Sequence, residues 1–166
     1  MILLRSSVSI INLNLEKNNM KYIGFITENT KIEGSDSFAY MLSKPPNKDE
    51  DILKKVVKYL DEGVIIFGWM GYSYDFKTKQ PIAPDAYYTD GVYVWPGYYS
   101  YYLNTYSQEL DGDFVEYLRE NKFKLKDKDA IIRLVGSLEV ELDEKLKASF
   151  SSPEDHTLSL DGHKVK

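Results

Sequence analysis

Thirteen of the chain's twenty-three aromatic residues fall within the thirty-eight positions from Trp69 to Tyr106, and nine of its fourteen tyrosines lie between Tyr87 and Tyr117. Large aromatic side chains at that density must either fill a core or form a surface that other molecules touch, because few polar residues separate them. Most of this window is therefore structured. Six of the aromatics, Trp69, Tyr93, Trp95, Tyr99, Tyr102 and Tyr106, are expected in the core. Four others, Tyr87, Tyr88, Tyr98 and Tyr101, are expected on the surface, since one loop and one helix cannot bury every face.

The elements around this window follow from local pattern. Met20–Thr27 alternates as a strand, with Gly24 marking a close approach of neighbours. Phe38–Leu42 is short and ambiguous, and Pro45-Pro46 halts regular structure. A helix then begins at Asn47 or Asp49, carries Ile52, Leu53, Val56, Val57 and Leu60 as its apolar stripe, and ends at Gly63. Val64–Met70 (VIIFGWM) is a continuous apolar and β-branched run, the pattern of a strand buried on both faces at the centre of a sheet. Tyr72 to Ala86 reads as a long loop or hairpin, and Gly91–Trp95 as a further strand stopped by Pro96. Tyr98–Tyr106 has helical spacing. Asp111 caps a short helix whose Phe114, Val115 and Leu118 face inward, and a last helix starts near Asp127 with Ile131, Val135, Leu138, Leu142 and Leu146 on one face. Strands and helices intermix and no long-period repeat occurs. The expected fold is a single α+β domain over residues 20–150, a small mixed or antiparallel sheet covered by several helices on one side.

Outside that domain, residues 1–19 read as an N-terminal extension or an edge strand. Arg5 interrupts the apolar run and no small-residue cleavage site follows, so the start does not read as an export signal. The polar stretch 151–166 reads as a disordered tail. No run approaches eighteen apolar residues, and a cytoplasmic location is the expectation.

Composition removes whole classes of chemistry. With no cysteine and with both histidines, His156 and His163, in the last eleven residues, thiol catalysis, thiolate metal sites and Ser-His-Asp relays have no residues to run on. No D-x-D-x-D-G loop is present, Asp111-Gly112-Asp113 being too short, and Gly68-x-x-Gly71 lacks the lysine of a phosphate loop. No cofactor or metal is expected. Net charge is −5, and Asp90–Glu120 holds six acids against one base, as large an excess as that of the whole chain. The basic strip Lys122–Arg133 follows it. A phosphate-binding surface needs clustered cations, so neither nucleic acid nor a membrane is expected as a partner.

Acids and tyrosines in one window make up a recognition surface better than a catalytic one. The partner-binding candidates are Tyr87, Tyr88, Asp90, Tyr98, Tyr101, Glu109, Asp111 and Asp113, facing a basic protein whose approach the acids would steer. The alternative is a carbohydrate-binding module or small carboxylate-dependent glycosidase using Asp75, Asp85 or Asp90 with Trp69 and Tyr72, because sugar faces stack on aromatic rings and glycoside cleavage takes two carboxylates.

Tyr88-Thr89-Asp90-Gly91-Val92-Tyr93-Val94-Trp95-Pro96, followed by Tyr101-Tyr102-Leu103 and Phe114-Val115-Glu116, resembles a pattern of small cytosolic bacterial proteins that are themselves similar to the immunity proteins of polymorphic toxin systems. There a TDG-x-W-x-WP strand leads to a tyrosine-bearing helix and a P-x-x-F helix. The resemblance covers about residues 64–120. Here Tyr93 stands where the first Trp is usual, and Leu110-Asp111-Gly112 replaces the proline-containing entry. It implies a non-enzymatic protein that binds and blocks a cognate toxin, brings no catalytic residues, and marks Asp90, Trp95 and Tyr102 as structural positions of the motif.

Overall fold

Successive side chains of a strand point to opposite faces, and Tyr93, Val94 and Trp95 show what that means here: all three are buried, so both faces of their strand are covered. The computed structural model describes residues 20–150. In chain order these form β1 (Lys21–Tyr22), α1 (Phe38–Ser43), α2 (Glu50–Asp61), β2 (Val64–Tyr74), β3 (Pro81–Thr89), β4 (Tyr93–Pro96), α3 (Tyr99–Tyr106), α4 (Gly112–Glu120) and α5 (Lys128–Phe150). The strands make one mixed sheet in the order β1-β4-β3-β2, with β1 parallel to β4 and the other pairs antiparallel. This is the single α+β domain expected. Residues 1–19 and 151–166, read above as an extension or edge strand and as a tail, lie outside the described residues.

On one face Tyr93 and Trp95 pack with Leu53, Val56, Tyr59 and Leu60 of α2, Leu103 of α3, and Phe114 and Leu118 of α4. On the other, Val94, Ile66 and Tyr87 pack with Met20 and with Leu138 and Leu142 of α5. The expectation of helices on one side is corrected: α5 covers the second face. Its stripe is the one read from spacing, but a stripe does not say which sheet face it meets. Each large apolar side chain removed from water here contributes roughly 1.5–3 kcal/mol.

Local caps follow the sequence. Asp49 accepts from the Ile52 N–H at 3.0 Å, Asp111 from the Phe114 N–H at 2.7 Å, and Asp127 from the Asp129 and Ala130 N–H groups at 3.0 and 3.2 Å. Two glycines are fixed by close approach. A Cβ on Gly24, whose φ is +69°, would stand 2.2 Å from the Tyr99 ring, and one on Gly63 would stand 2.4 Å from the Trp95 ring. Strand β1 is shorter than the alternation of Met20–Thr27 predicts, because the chain bends at that positive φ directly after Ile23.

The second correction concerns β2. The continuous apolar run predicts a central strand; the strand lies instead at the sheet edge, paired only with β3 among the described residues. The segment read as a long loop or hairpin is the far end of that β2–β3 hairpin. Register breaks in its middle: Gly68 opposes Ala86 and Tyr72 opposes Pro84, so Trp69, Met70 and Gly71 stand against Asp85 alone. Such a bulge ends regular pairing and re-aims side chains outward. Trp69, expected in the core, is 57 % exposed, and Met70 is fully exposed.

Candidate recognition site

Asp90 belongs to the fold. Its Oδ1 accepts the Val92 and Tyr93 N–H groups at 2.8 and 2.7 Å, and its Oδ2 accepts the Tyr59 hydroxyl at 2.6 Å. Thr89 completes the turn, donating to the Tyr93 carbonyl at 2.7 Å and accepting from the Gly91 N–H at 2.9 Å. The Thr89-Asp90-Gly91 motif thus locks β3 to β4 and ties that turn to α2. Burial, with the Asp90 charge and hydrogen bond adding to it, pushes the Tyr59 hydroxyl far above its ordinary value. Burial likewise, with Asp90 beside it, pushes Tyr117 up to about 12.

Two further members of the expected surface patch are interior. Tyr87 is buried against Phe25, their rings stacked at 5.7 Å, with its hydroxyl 3.2 Å from Thr30 Oγ1. Tyr98 is buried and its hydroxyl accepts from the Ile26 N–H at 3.1 Å. These three corrections share a cause: a tyrosine or aspartate whose polar atoms find backbone or side-chain partners inside is as content in a core as an apolar residue. Tyr88 is half-buried against the α2 face. Tyr101 is half-buried, its hydroxyl donating to Asp75 Oδ2 at 3.0 Å. Glu109, Asp111 and Asp113 are exposed, the first two lining a small cleft of about 350 Å3 with Lys44 and Asp36. The structure does not gather the eight residues into one surface.

Asp75 shows the same economy. It is fully buried at the tip of the β2–β3 hairpin, where its carboxylate accepts from the Lys77 and Thr78 N–H groups at 2.7 and 2.8 Å and from the Tyr101 and Tyr106 hydroxyls at 3.0 and 2.8 Å. Burial alone would raise its affinity for a proton; these hydrogen bonds outweigh it and hold the carboxyl below the usual range. With every lone pair engaged, Asp75 anchors the hairpin to α3 and has no oxygen to offer a ligand.

What the structure does assemble is a cleft of about 760 Å3 between that hairpin and the C-terminal half of α5. Phe67, Tyr87, Leu142 and Leu146, all in or against the α5-side core, line it, as do Trp69, Tyr72 and Tyr74 from β2. Phe67 and Trp69 meet edge to face at 4.6 Å. Val140 of α5 is largely exposed beside them, and Asp85, Glu139 and Asp143 supply negative charge, Asp143 pairing with Lys147. The volume is that of a ligand site, and its lining combines aromatic and aliphatic groups with the charged residues Asp75, Lys79, Asp85, Glu139, Asp143 and Lys147. Two signals in the sequence pointed here. Val64–Tyr74 carries no charge and no proline in eleven residues, and Val140 breaks the polar side of α5.

Comparison with family models, with curated proteins and with solved structures returns no match. Among the described residues no group of three or more His, Cys, Asp or Glu is placed to hold a metal ion, and no helix is long and apolar enough to cross a membrane.

Proposed function

We propose that this chain is a non-enzymatic protein-binding module, of the immunity type in that it neutralises a toxin, and that its partner seats on the bulged edge of β2 and the adjoining cleft. The observation that carries the reading is the exposed, uncharged segment Trp69-Met70-Gly71-Tyr72 on an edge strand. Edge strands of monomeric proteins are blunted by charges, proline or cover, and an aromatic edge left open is a surface for a partner. The bulge blocks simple sheet extension at its centre and presents side chains instead. Net charge of −5 and the acids Asp85 and Glu139 at the cleft favour a basic polypeptide, captured faster at low salt. A cytoplasmic site of action goes with that role.

The test is capture from the source cells at low salt, followed by co-expression of each captured protein with and without this chain. Neutralisation predicts a protein that arrests growth alone, is harmless together with this chain, and is no longer retained by M70K/Y72K. Capture that survives M70K/Y72K unchanged would place the binding elsewhere.

One observation favours a second reading. Trp69, Tyr72 and Asp85, members of the carbohydrate alternative, line the same cleft, whereas Asp75 and Asp90 are consumed by the fold. Because Trp95 is buried and Trp69 exposed, a glycan that stacks in the cleft changes the fluorescence of one tryptophan alone. A panel of glycans leaving that emission unchanged rules the sugar reading out.

A further inference from the structure

We propose that the group this cleft receives is an arginine side chain of a basic polypeptide, its guanidinium placed between the Trp69 ring and the carboxylates of Asp85 and Glu139. The assignment rests on the reading above that a partner seats on β2 and the adjoining cleft, and names what that partner must present. Strand register sets Asp85 across the bulge from Trp69, Met70 and Gly71. Asp85 is two residues before Tyr87, so both point to the sheet face that α5 covers. Glu139 comes from α5 itself, on the opposite wall, next to the largely exposed Val140. The Trp69 ring, held edge to face against Phe67 at 4.6 Å, is still 57 % exposed.

Charge selects a cation. Four carboxylates and two lysines line the cleft, an excess of two negative charges. Both lysines are already engaged: Lys147 pairs with Asp143, and Lys79 stands over the Phe76 ring at 5.8 Å. Asp75 has its oxygens taken up by the hairpin and α3. Asp85 and Glu139 are left with no ion pair among the described residues. A cation entering from outside therefore meets two uncompensated carboxylates and an open indole. Aromatic faces attract cations, and a guanidinium stacks flat on such a ring while its N–H donors reach carboxylates on two sides. An ammonium is a compact, strongly hydrated charge and gains less from that arrangement. The apolar stem of an arginine suits Val140 and Leu146. The mouth of the cleft separates a polypeptide from a free guanidinium compound. It adjoins the uncharged Met70-Gly71-Tyr72 edge, whose exposed apolar surface a chain on either side of the arginine covers and a lone small molecule leaves in water.

The test is a low-salt titration of the full chain with the blocked pentapeptide Thr-Val-Arg-Val-Thr, read by tryptophan emission, which reports Trp69 because Trp95 is 1 % exposed. A saturable change is expected. Citrulline in place of the peptide's arginine keeps the shape, removes the charge and should weaken binding about ten-fold or more, and lysine there should weaken it about three-fold. D85N/E139Q alters one half-buried and one exposed side chain, so it should leave the circular dichroism unchanged and lower the affinity for the arginine peptide to that for the citrulline one. N-acetylarginine amide should bind more weakly than the pentapeptide. Emission unchanged by the arginine peptide, equal binding of the citrulline or lysine peptide, an affinity untouched by D85N/E139Q, or N-acetylarginine amide binding as tightly as the pentapeptide overturns the proposal. The assay contains no captured partner, so the two readings fail separately. Capture abolished by M70K/Y72K beside any of those failures removes the arginine and keeps the partner; the expected peptide binding beside capture that survives M70K/Y72K removes the partner reading alone.

Discussion

The aromatic runs of β4 and α3 and of β2 have different fates. Tyr93, Trp95, Tyr98, Tyr99 and Tyr102 are all buried, and the hydroxyls of Tyr98 and Tyr102 accept from the Ile26 and Phe76 N–H groups, each at 3.1 Å. Trp69, Tyr72 and Tyr74 are more than half exposed. Position in the sheet accounts for the difference. Strand β4 lies between β1 and β3 with helices on both faces; among the described residues β2 has a neighbour on one side only, and its bulge turns side chains away from the core. Aromatic density therefore marks both the most stable and the most available parts of this molecule.

The contrast can be broken most completely by alkali. Burial raises the buried phenols above their ordinary 10.0, Tyr102 and Tyr117 to about 12, so the native state holds protons that the unfolded chain releases. Stability from these groups is fully present below pH 10 and is lost as pH rises from there toward 12. Tyrosinate absorbance and circular dichroism should change together in that window. A spectrum in which all tyrosines titrate before the dichroism changes would contradict their burial.

Trp95→Ala should cost about 3–5 kcal/mol in denaturant unfolding, against less than about 0.5 kcal/mol for Trp69→Ala. Comparable losses for the two would erase the distinction between core and surface aromatics. Asp90→Ala strands the Tyr59 hydroxyl and two backbone N–H groups, for a loss of about 3 kcal/mol. A surface role for Asp90 predicts an unchanged midpoint instead. Gly24→Ala drives a methyl group into the Tyr99 ring at a positive φ and should cost about 2 kcal/mol. Smallest in stability is M70K/Y72K, within about 0.5 kcal/mol, although the same variant should weaken partner capture more than ten-fold. Loss of the fold in that variant would show that β2 is covered rather than open.

How much of this was legible beforehand differs from residue to residue. Asp49, one of the two cap candidates for α2, the Asp111 cap, the start of α5 near Asp127 and the α5 stripe are local patterns, and each is found in the structure. The core positions Tyr93, Trp95, Tyr99 and Tyr102 follow from alternation and helical period. Trp69 did not, because VIIFGWM looks the same whether a strand has one neighbour or two. Tyr59 was missed in α2 because its partner, Asp90, is thirty-one residues away. The expected acidic tyrosine patch failed for the same reason: Tyr87, Asp90 and Tyr98 are satisfied by Thr30, Tyr59 and Ile26, contacts no window of the sequence contains. The cleft joins β2 to a helix more than sixty residues downstream, and only Val140 and the uncharged edge hinted at it.

Sequence alone determined most of the helices and their caps, the absence of thiols, and the placement of both histidines in the last eleven residues, because each depends on residue identity or on neighbours within a few positions. Tertiary structure decided which strand became the edge, which sheet face received α5, and which polar groups were satisfied inside. Those outcomes turn on long-range pairing, where the free energy of a buried tyrosine or aspartate is set by a partner far along the chain.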